Sequence, residues 1–305
     1  MRKTKDNLLT NTFVVMGLAL IACFLWGSAF PSIKIGYKLF HIAKDDTYSK
    51  ILFAGYRFFL ASLMIFLFCF ISKYSIKVSK KNFYRLILLG IIQTFIQYIF
   101  FYIGLSNTTG VKGSIIASSN TFFSVVIAHF FYTEDKMTWK KILGVILGFL
   151  GVIIVNSKSG GFSGGFKFSG EGFVLISSLF GAFAGVYTKK LANDIPPFAV
   201  SGYQLFTGSI ALILVGLSGV SHNITFTPVG SILLLYMAFI SAAAFSIWSL
   251  LLKYNGVGKV SVYKFSIPLF GVFLSYFFLK ESFSSSNVIL AVVLVSLGIY
   301  LINKK

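Results

Sequence analysis

The sequence predicts an all-α polytopic membrane protein whose ten transmembrane helices form two inverted five-helix repeats. Three observations predict this. First, 56% of the 305 residues are hydrophobic and only 11% are charged, whereas soluble domains carry about 25% charged residues. Second, apolar runs of roughly 20 residues, the length of a membrane span, recur along the whole chain. Third, the chain repeats itself. "FFYTE" at 130–134 and "FFLKE" at 277–281 stand 147 residues apart. Ile142/Ile289, Leu147/Leu294, Gly151/Gly298, Asn156/Asn303 and Lys158/Lys305 keep that register, as do Lys112/Lys259 and Ser114/Ser261 upstream. Composition alone produces some apolar matches. Glu, Gly, Asn and Lys falling into one register mark an internal duplication.

Taken in order, the spans are 12–33, 51–72, 84–105, 111–132, 139–157, 171–191, 197–218, 229–252, 261–280 and 286–303. Backbone polar groups in lipid must be satisfied within the segment, and these runs are too long and too apolar for barrel strands, so the spans are helices. Residues 1–156 form the first repeat with a short cytoplasmic tail. The Gly/Ser-rich stretch 157–170 is a linker, and 171–305 form the second repeat. Five spans per repeat is an odd number, so the two copies sit upside down relative to each other.

Lys and Arg set the orientation. With a cytoplasmic N-terminus, the inside segments hold 18 basic residues and the outside segments 8. Lys253, Lys259 and Lys264, around the start of span nine, are among the 18 inside. The protein is therefore expected to be a multi-pass component of the cytoplasmic (inner) membrane with both termini cytoplasmic. The net charge of +19 is scattered over short loops, so it does not indicate a nucleic-acid partner. The expected partners are the lipid bilayer and a small-molecule substrate, for a monomer or a homodimer.

"ALIACFLWGSAFPSIKI" (19–35), "YRFFLASLMIF" (56–66) and the paired "FFYTE" and "FFLKE" resemble the drug/metabolite transporter superfamily, in its EamA-domain branch. The resemblance covers nearly the whole chain as two EamA-like halves. It implies transport of a small metabolite through a cavity lined by spans one, three and four and by their counterparts six, eight and nine. Trp26 and Arg57 fit the family pattern. The counterpart of span one, "SSLFGAFAGVYTKKL" (177–191), lacks the tryptophan, so any role of Trp26 belongs to one half.

Polar side chains inside spans are costly in lipid and usually face a cavity or a partner helix. On the helices the resemblance implies, the predicted substrate site is built around Trp26, Gln93, Gln97, Tyr102, Asn120, Trp248 and Tyr263. Gln93 and Gln97 are four residues apart and so share a helix face. Arg57 is the one charge well inside a span, either bonded to a carbonyl or snorkelling outward, or else an anchor for a substrate carboxylate. Glu134 and Glu281, at span ends, read as surface carboxylates facing the positive N-terminus of the following helix. "GVILGFLG" (144–151) favours close helix packing, inside the bundle or in a dimer. "LIAC" at 20–23 loosely fits a lipoprotein cleavage box, but the apolar run continues past Cys23, which favours an uncleaved span one. Cys23 and Cys69 both lie in spans, so no structural disulfide is expected. "NIT" at 223–225 fits a glycosylation sequon, a pattern common by chance.

Three dispersed histidines, without a paired-carboxylate or nucleophile motif, argue against an enzyme. No cofactor and no metal are expected. All eight acidic residues lie in loops, tails or span ends. A desolvated cation needs a carboxylate or an aromatic cage. The expected cargo is therefore a small neutral or zwitterionic metabolite, an amino acid or a relative, exported by alternating access as an exchanger or uniporter. The alternatives are efflux of aromatic or quaternary amine compounds and flipping of a lipid-linked intermediate.

Overall fold

The structure, a computed structural model, describes residues 8–43, 45–108, 113, 116–157, 167–220, 224–280 and 285–303. Glu281, the linker over 158–166, Lys112, Ser114 and the sequon Asn223 lie outside the described residues.

The helices are α1 (Thr12–Leu39), α2 (Thr47–Ile71), α3 (Lys80–Asn107), α4 (Ser119–Phe131), α5 (Trp139–Ser157), α6 (Phe168–Asp194), α7 (Pro197–Leu217), α8 (Pro228–Tyr254), α9 (Val257–Leu279) and α10 (Ser285–Asn303). Among the described residues, seven of them, α1, α2, α3, α6, α7, α8 and α9, are long and apolar enough to cross a membrane. The chain is a multi-pass membrane protein. Polar side chains start several helices by accepting their unpaired first N–H groups. Asn11 caps α1, Asp46 caps α2, Ser79 caps α3 and Thr227 caps α8. Pro197 and Pro228 occupy first-turn positions in α7 and α8, where a missing N–H costs nothing.

The helix bounds follow the sequence repeat. Shifting α3 by 147 residues gives 227–254, and α8 is Pro228–Tyr254. Shifting α4 gives 266–278, within α9, and shifting α5 gives 286–304, against Ser285–Asn303 for α10. Packing has the same symmetry. α2 lies along α7, and α5 along α10. α1 packs on α8 and α9, and its counterpart α6 packs on α3 and α4. Each half thus buries its helices chiefly against the other half. The repeated Phe pair faces outward in both copies: Phe130, Phe131, Phe277 and Phe278 are all exposed, as expected of side chains against lipid.

The glycines of 144–151 serve packing within the chain. A Cβ on Gly144 would fall 2.7 Å from the Gly298 carbonyl, and one on Gly298 would fall 2.6 Å from the Gly144 carbonyl. At the repeat-related contact, a Cβ on Gly151 would stand 3.0 Å from the Ala291 carbonyl. α5 and α10 therefore meet backbone to backbone, where dispersion is strongest.

Overpacking a tight contact costs about 1–3 kcal/mol. Gly298→Leu is accordingly expected to lower the apparent melting temperature of detergent-purified protein by several degrees. Gly17→Leu, at a site where a Cβ meets nothing within 4 Å, should leave it unchanged.

Candidate functional site

A cavity of about 140 Å³ lies between the halves, lined from α1, α2, α3, α4, α6, α8 and α9 and from the turn before α4. Its walls carry the repeat. Tyr98 and Phe245, Phe101 and Trp248, Ala117 and Lys264, and Asn120 and Ile267 are all lining pairs at the 147-residue offset. Tyr98/Phe245 and Phe101/Trp248 keep their aromatic character between the halves, whereas Phe30 is answered by Ser177, and the charge and the amide have apolar counterparts.

Of the residues expected from sequence, Trp26, Gln93, Gln97, Asn120 and Trp248 line the cavity. The middle of α3 is a π-helical turn, Gly90–Ile96, which holds Gln93 and delivers the chain to Gln97. Such turns often mark functional positions. Gln93 Oε1 accepts from Thr188 Oγ1 at 3.4 Å. Gly181 on α6 admits the two amides of the first half. A Cβ there would sit 2.6 Å from Asn120 Nδ2 and 2.9 Å from Gln97 Nε2. Gly185, one helical turn on, faces open space.

Tyr102 and Tyr263 do not line the cavity. Both are fully buried behind its wall. The Tyr102 hydroxyl accepts from Arg57 Nη1 at 3.2 Å. Tyr263 offers its backbone carbonyl to the Cys23 thiol at 3.2 Å. Cys23 and Cys69 are both free and buried.

Two cations border the space. Arg57, 1% exposed, donates through Nε to the Ser241 hydroxyl at 2.9 Å and to the Met237 carbonyl at 3.2 Å. Its guanidinium also lies 5.1 Å from the Phe58 ring centre. It is bonded inward and does not snorkel. Lys264, counted from sequence with the cytoplasmic residues, is instead a cavity residue. It sits in the 3₁₀ turn inside α9. Its Nζ donates to Asn120 Oδ1 at 2.9 Å and stands 4.8 Å over the Trp248 ring and 5.8 Å from that of Trp26. The two indoles meet at 5.1 Å. Asn120 is oriented by donating from Nδ2 to the Ser178 carbonyl at 2.9 Å, which turns its oxygen to the lysine. Among the described residues, no carboxylate lines the cavity. Trp26 Nε1 and Gln97 Oε1 are buried and have no hydrogen-bond partner among the described residues.

Lys264 was missed because it stands only four residues into the expected span nine, where a lysine reads as a loop residue. Its repeat position, Ala117 in span four, is the signal that would have placed it at the depth of the polar cluster.

Glu134 stays out of the cavity. It is exposed, with Oε1 3.8 Å from Lys189 Nζ. The carboxylate that meets a helix N-terminus is its neighbour Asp135, and the helix is α9, not the following helix α5. Asp135, 2% exposed, accepts from Gly258 N–H at 2.7 Å and from Lys141 Nζ at 2.6 Å. The extended chain at Tyr132 and the short turn 133–135 send the residue after the glutamate inward, toward the α8–α9 junction. His129, away from the cavity, accepts the Met137 N–H on Nδ1 at 2.9 Å.

Comparison with known proteins fits this architecture. The profile of the EamA-like transporter family matches residues 14–157 and again 168–304. The chain belongs to the EamA-like transporter family. Among similar proteins, an uncharacterized transporter of Archaeoglobus fulgidus is 25% identical over 97% of this chain and 98% of its own. The uncharacterized Bacillus subtilis transporter YoaV is 23% identical over 94% and 96%. A crystal structure of a protein 14% identical in sequence superposes with a TM-score of 0.77, covering 96% of this chain and 97% of the other, and so shares its fold. This EamA protein is therefore a transporter rather than an enzyme.

The Arg57 cluster can be tested directly. Losing one acceptor of a buried charge costs about 1–3 kcal/mol, whereas removing both partners costs much less. Tyr102→Phe should destabilise the protein clearly in thermal unfolding, and the same change in an Arg57→Met background should cost markedly less.

Proposed function

We propose that this EamA protein is a ten-span secondary transporter of the cytoplasmic membrane, built as two inverted five-helix repeats. It exports a small zwitterionic or neutral metabolite, an amino acid or a relative, by alternating access. The observation that carries this reading is the pairing of cavity residues at the repeat offset, Tyr98 with Phe245 and Phe101 with Trp248. A space lined equivalently by both halves lies on their pseudo-symmetry axis. Equivalent rocking of the halves can open such a space to either side. Helices α4, α5 and α10 bring the seven long apolar helices to ten. With five helices per half, the copies run in opposite senses.

The lining suits a small amphipathic molecule. Aromatic faces from Trp26, Tyr98, Phe101, Phe245 and Trp248 surround a few amides. A quaternary amine would need the indole faces, and Lys264 already stands over them. That counts against the amine-efflux alternative. Without Lys264, the basic residues still number 17 inside against 8 outside, a bias that supports the expected orientation.

Gly185 offers a test of the cavity. A Cβ there meets no atom within 4 Å, so a larger side chain has room to start from the backbone and takes up cavity space. Gly185→Leu should fold and reach the membrane at normal levels yet lose transport, while Gly185→Ala retains it. The measurement is efflux from an expression host challenged with amino acids, toxic analogues, purines and cations. Undiminished transport by Gly185→Leu would put the pathway elsewhere.

Topology is tested in a background lacking Cys23 and Cys69. A cysteine at Ser163 should react with an impermeant maleimide on intact cells, and one at Lys77 only after permeabilisation. The reverse pattern overturns the orientation.

A further inference from the structure

The geometry points to Lys264 as the carboxylate-recognition group of the cavity, and to a small metabolite bearing one carboxylate as the substrate class. This rests on the transporter reading above and goes beyond it in assigning a residue and a charge. Lys264 Nζ carries three N–H donors, and the described residues supply one acceptor, Asn120 Oδ1. The indole faces of Trp248 and Trp26 attract the ammonium but do not neutralise it. Arg57 adds a second positive centre on the same space, its Nε and Nη1 engaged by neutral acceptors.

With no carboxylate among the described residues that line the cavity, its two desolvated cations are electrostatically incomplete in a low dielectric. A ligand carboxylate completes them. It would accept from the remaining Lys264 donors, and Trp26, whose Nε1 is buried without a partner among the described residues, is a lining residue with a further donor that a small turn of the indole would bring to the ligand. Gln97, also lining the cavity and with its Oε1 unpartnered among the described residues, carries an acceptor suited to the amine of a zwitterion. The first half places Ala117 at the repeat position of Lys264, so the cavity holds one such site and binds its ligand in one orientation.

The test does not depend on knowing the cargo. The chain has three tryptophans, and Trp139, the one outside the cavity, is exposed. In a Trp139→Phe background, fluorescence reports Trp26 and Trp248. Iodide, an anionic quencher, should quench them saturably and more strongly than caesium. Lys264→Gln should weaken the apparent iodide affinity roughly tenfold or more, the scale of one charge-assisted hydrogen bond, and Lys264→Arg should retain most of it. In the same protein, L-leucine and 4-methylpentanoate should compete with iodide, while L-leucinamide should not. Competition by leucine alone assigns a zwitterion, and competition by both assigns any monocarboxylate.

Iodide quenching that is absent, or equal in wild type and Lys264→Gln, overturns the assignment. So does competition by leucinamide, or by none of the three. If Gly185→Leu still abolishes transport in that case, only the carboxylate site falls. If Gly185→Leu transports normally, the cavity reading falls with it.

Discussion

Neither half of this protein can bury its polar face alone in a bilayer, and the arrangement of the helices follows from that constraint. Lipid offers no hydrogen bonds, so amides, hydroxyls and charges inside a span must find partners on other helices. Here the partners belong chiefly to the other half. Arg57 of α2 bonds α8 through Ser241 and Met237. Asn120 of α4 bonds α6 through Ser178 and is met by Lys264 of α9. Asp135, just past α4, holds the start of α9. The same exchange brings α2 along α7 and α5 along α10. The cavity is the part of this interface that the side chains leave unfilled.

Much of the fold was legible because lipid imposes a coarse rule. A run of about 20 apolar residues has few other fates, and the repeat gave each helix a second estimate of its bounds. The departures have physical causes. α1 continues beyond the expected end at 33 to Leu39, carrying Lys34 and Lys38, because a helix need not stop where its apolar run stops. α9 starts at Val257 rather than 261, since Asp135 provides a cap from a distant loop. The π-helical turn in α3 left no mark in the sequence. Gly90 at its start lies against the backbone of Gln204 and Gly208 on α7, a tertiary contact that no local pattern reports.

The site was legible by type more than by direction. Polar residues on the right helices could be named, but helical periodicity alone does not say which face meets the cavity. Gln93, Gln97 and Asn120 turn inward. Tyr102, on the same helix as the two glutamines, is drawn behind the wall by Arg57. Lys264 was hidden by the rule that fixed the topology. Counting lysines near helix ends as cytoplasmic works on average, and it fails for a lysine inside a helix that starts early.

Duplication explains why the cavity's chemistry is asymmetric where its shape is not. Two equivalent halves make a chamber of matched aromatic walls, as at Tyr98 and Phe245. A ligand without a two-fold axis can be recognised in one orientation only where the copies differ at contact positions. They differ at Phe30 and Ser177, at Ala117 and Lys264 and at Asn120 and Ile267. The last two of these pairs lie about one helical turn apart, at the start of α4 and the turn before it and in α9, and Lys264 donates to Asn120. Each half has kept a polar residue where the other has an apolar one, so the cation of the second copy is seated by the amide of the first. A mutation at either position therefore disturbs both. The polar pair can be exchanged only by changing the two copies together, which ties the chamber's polarity to the pairing of its halves.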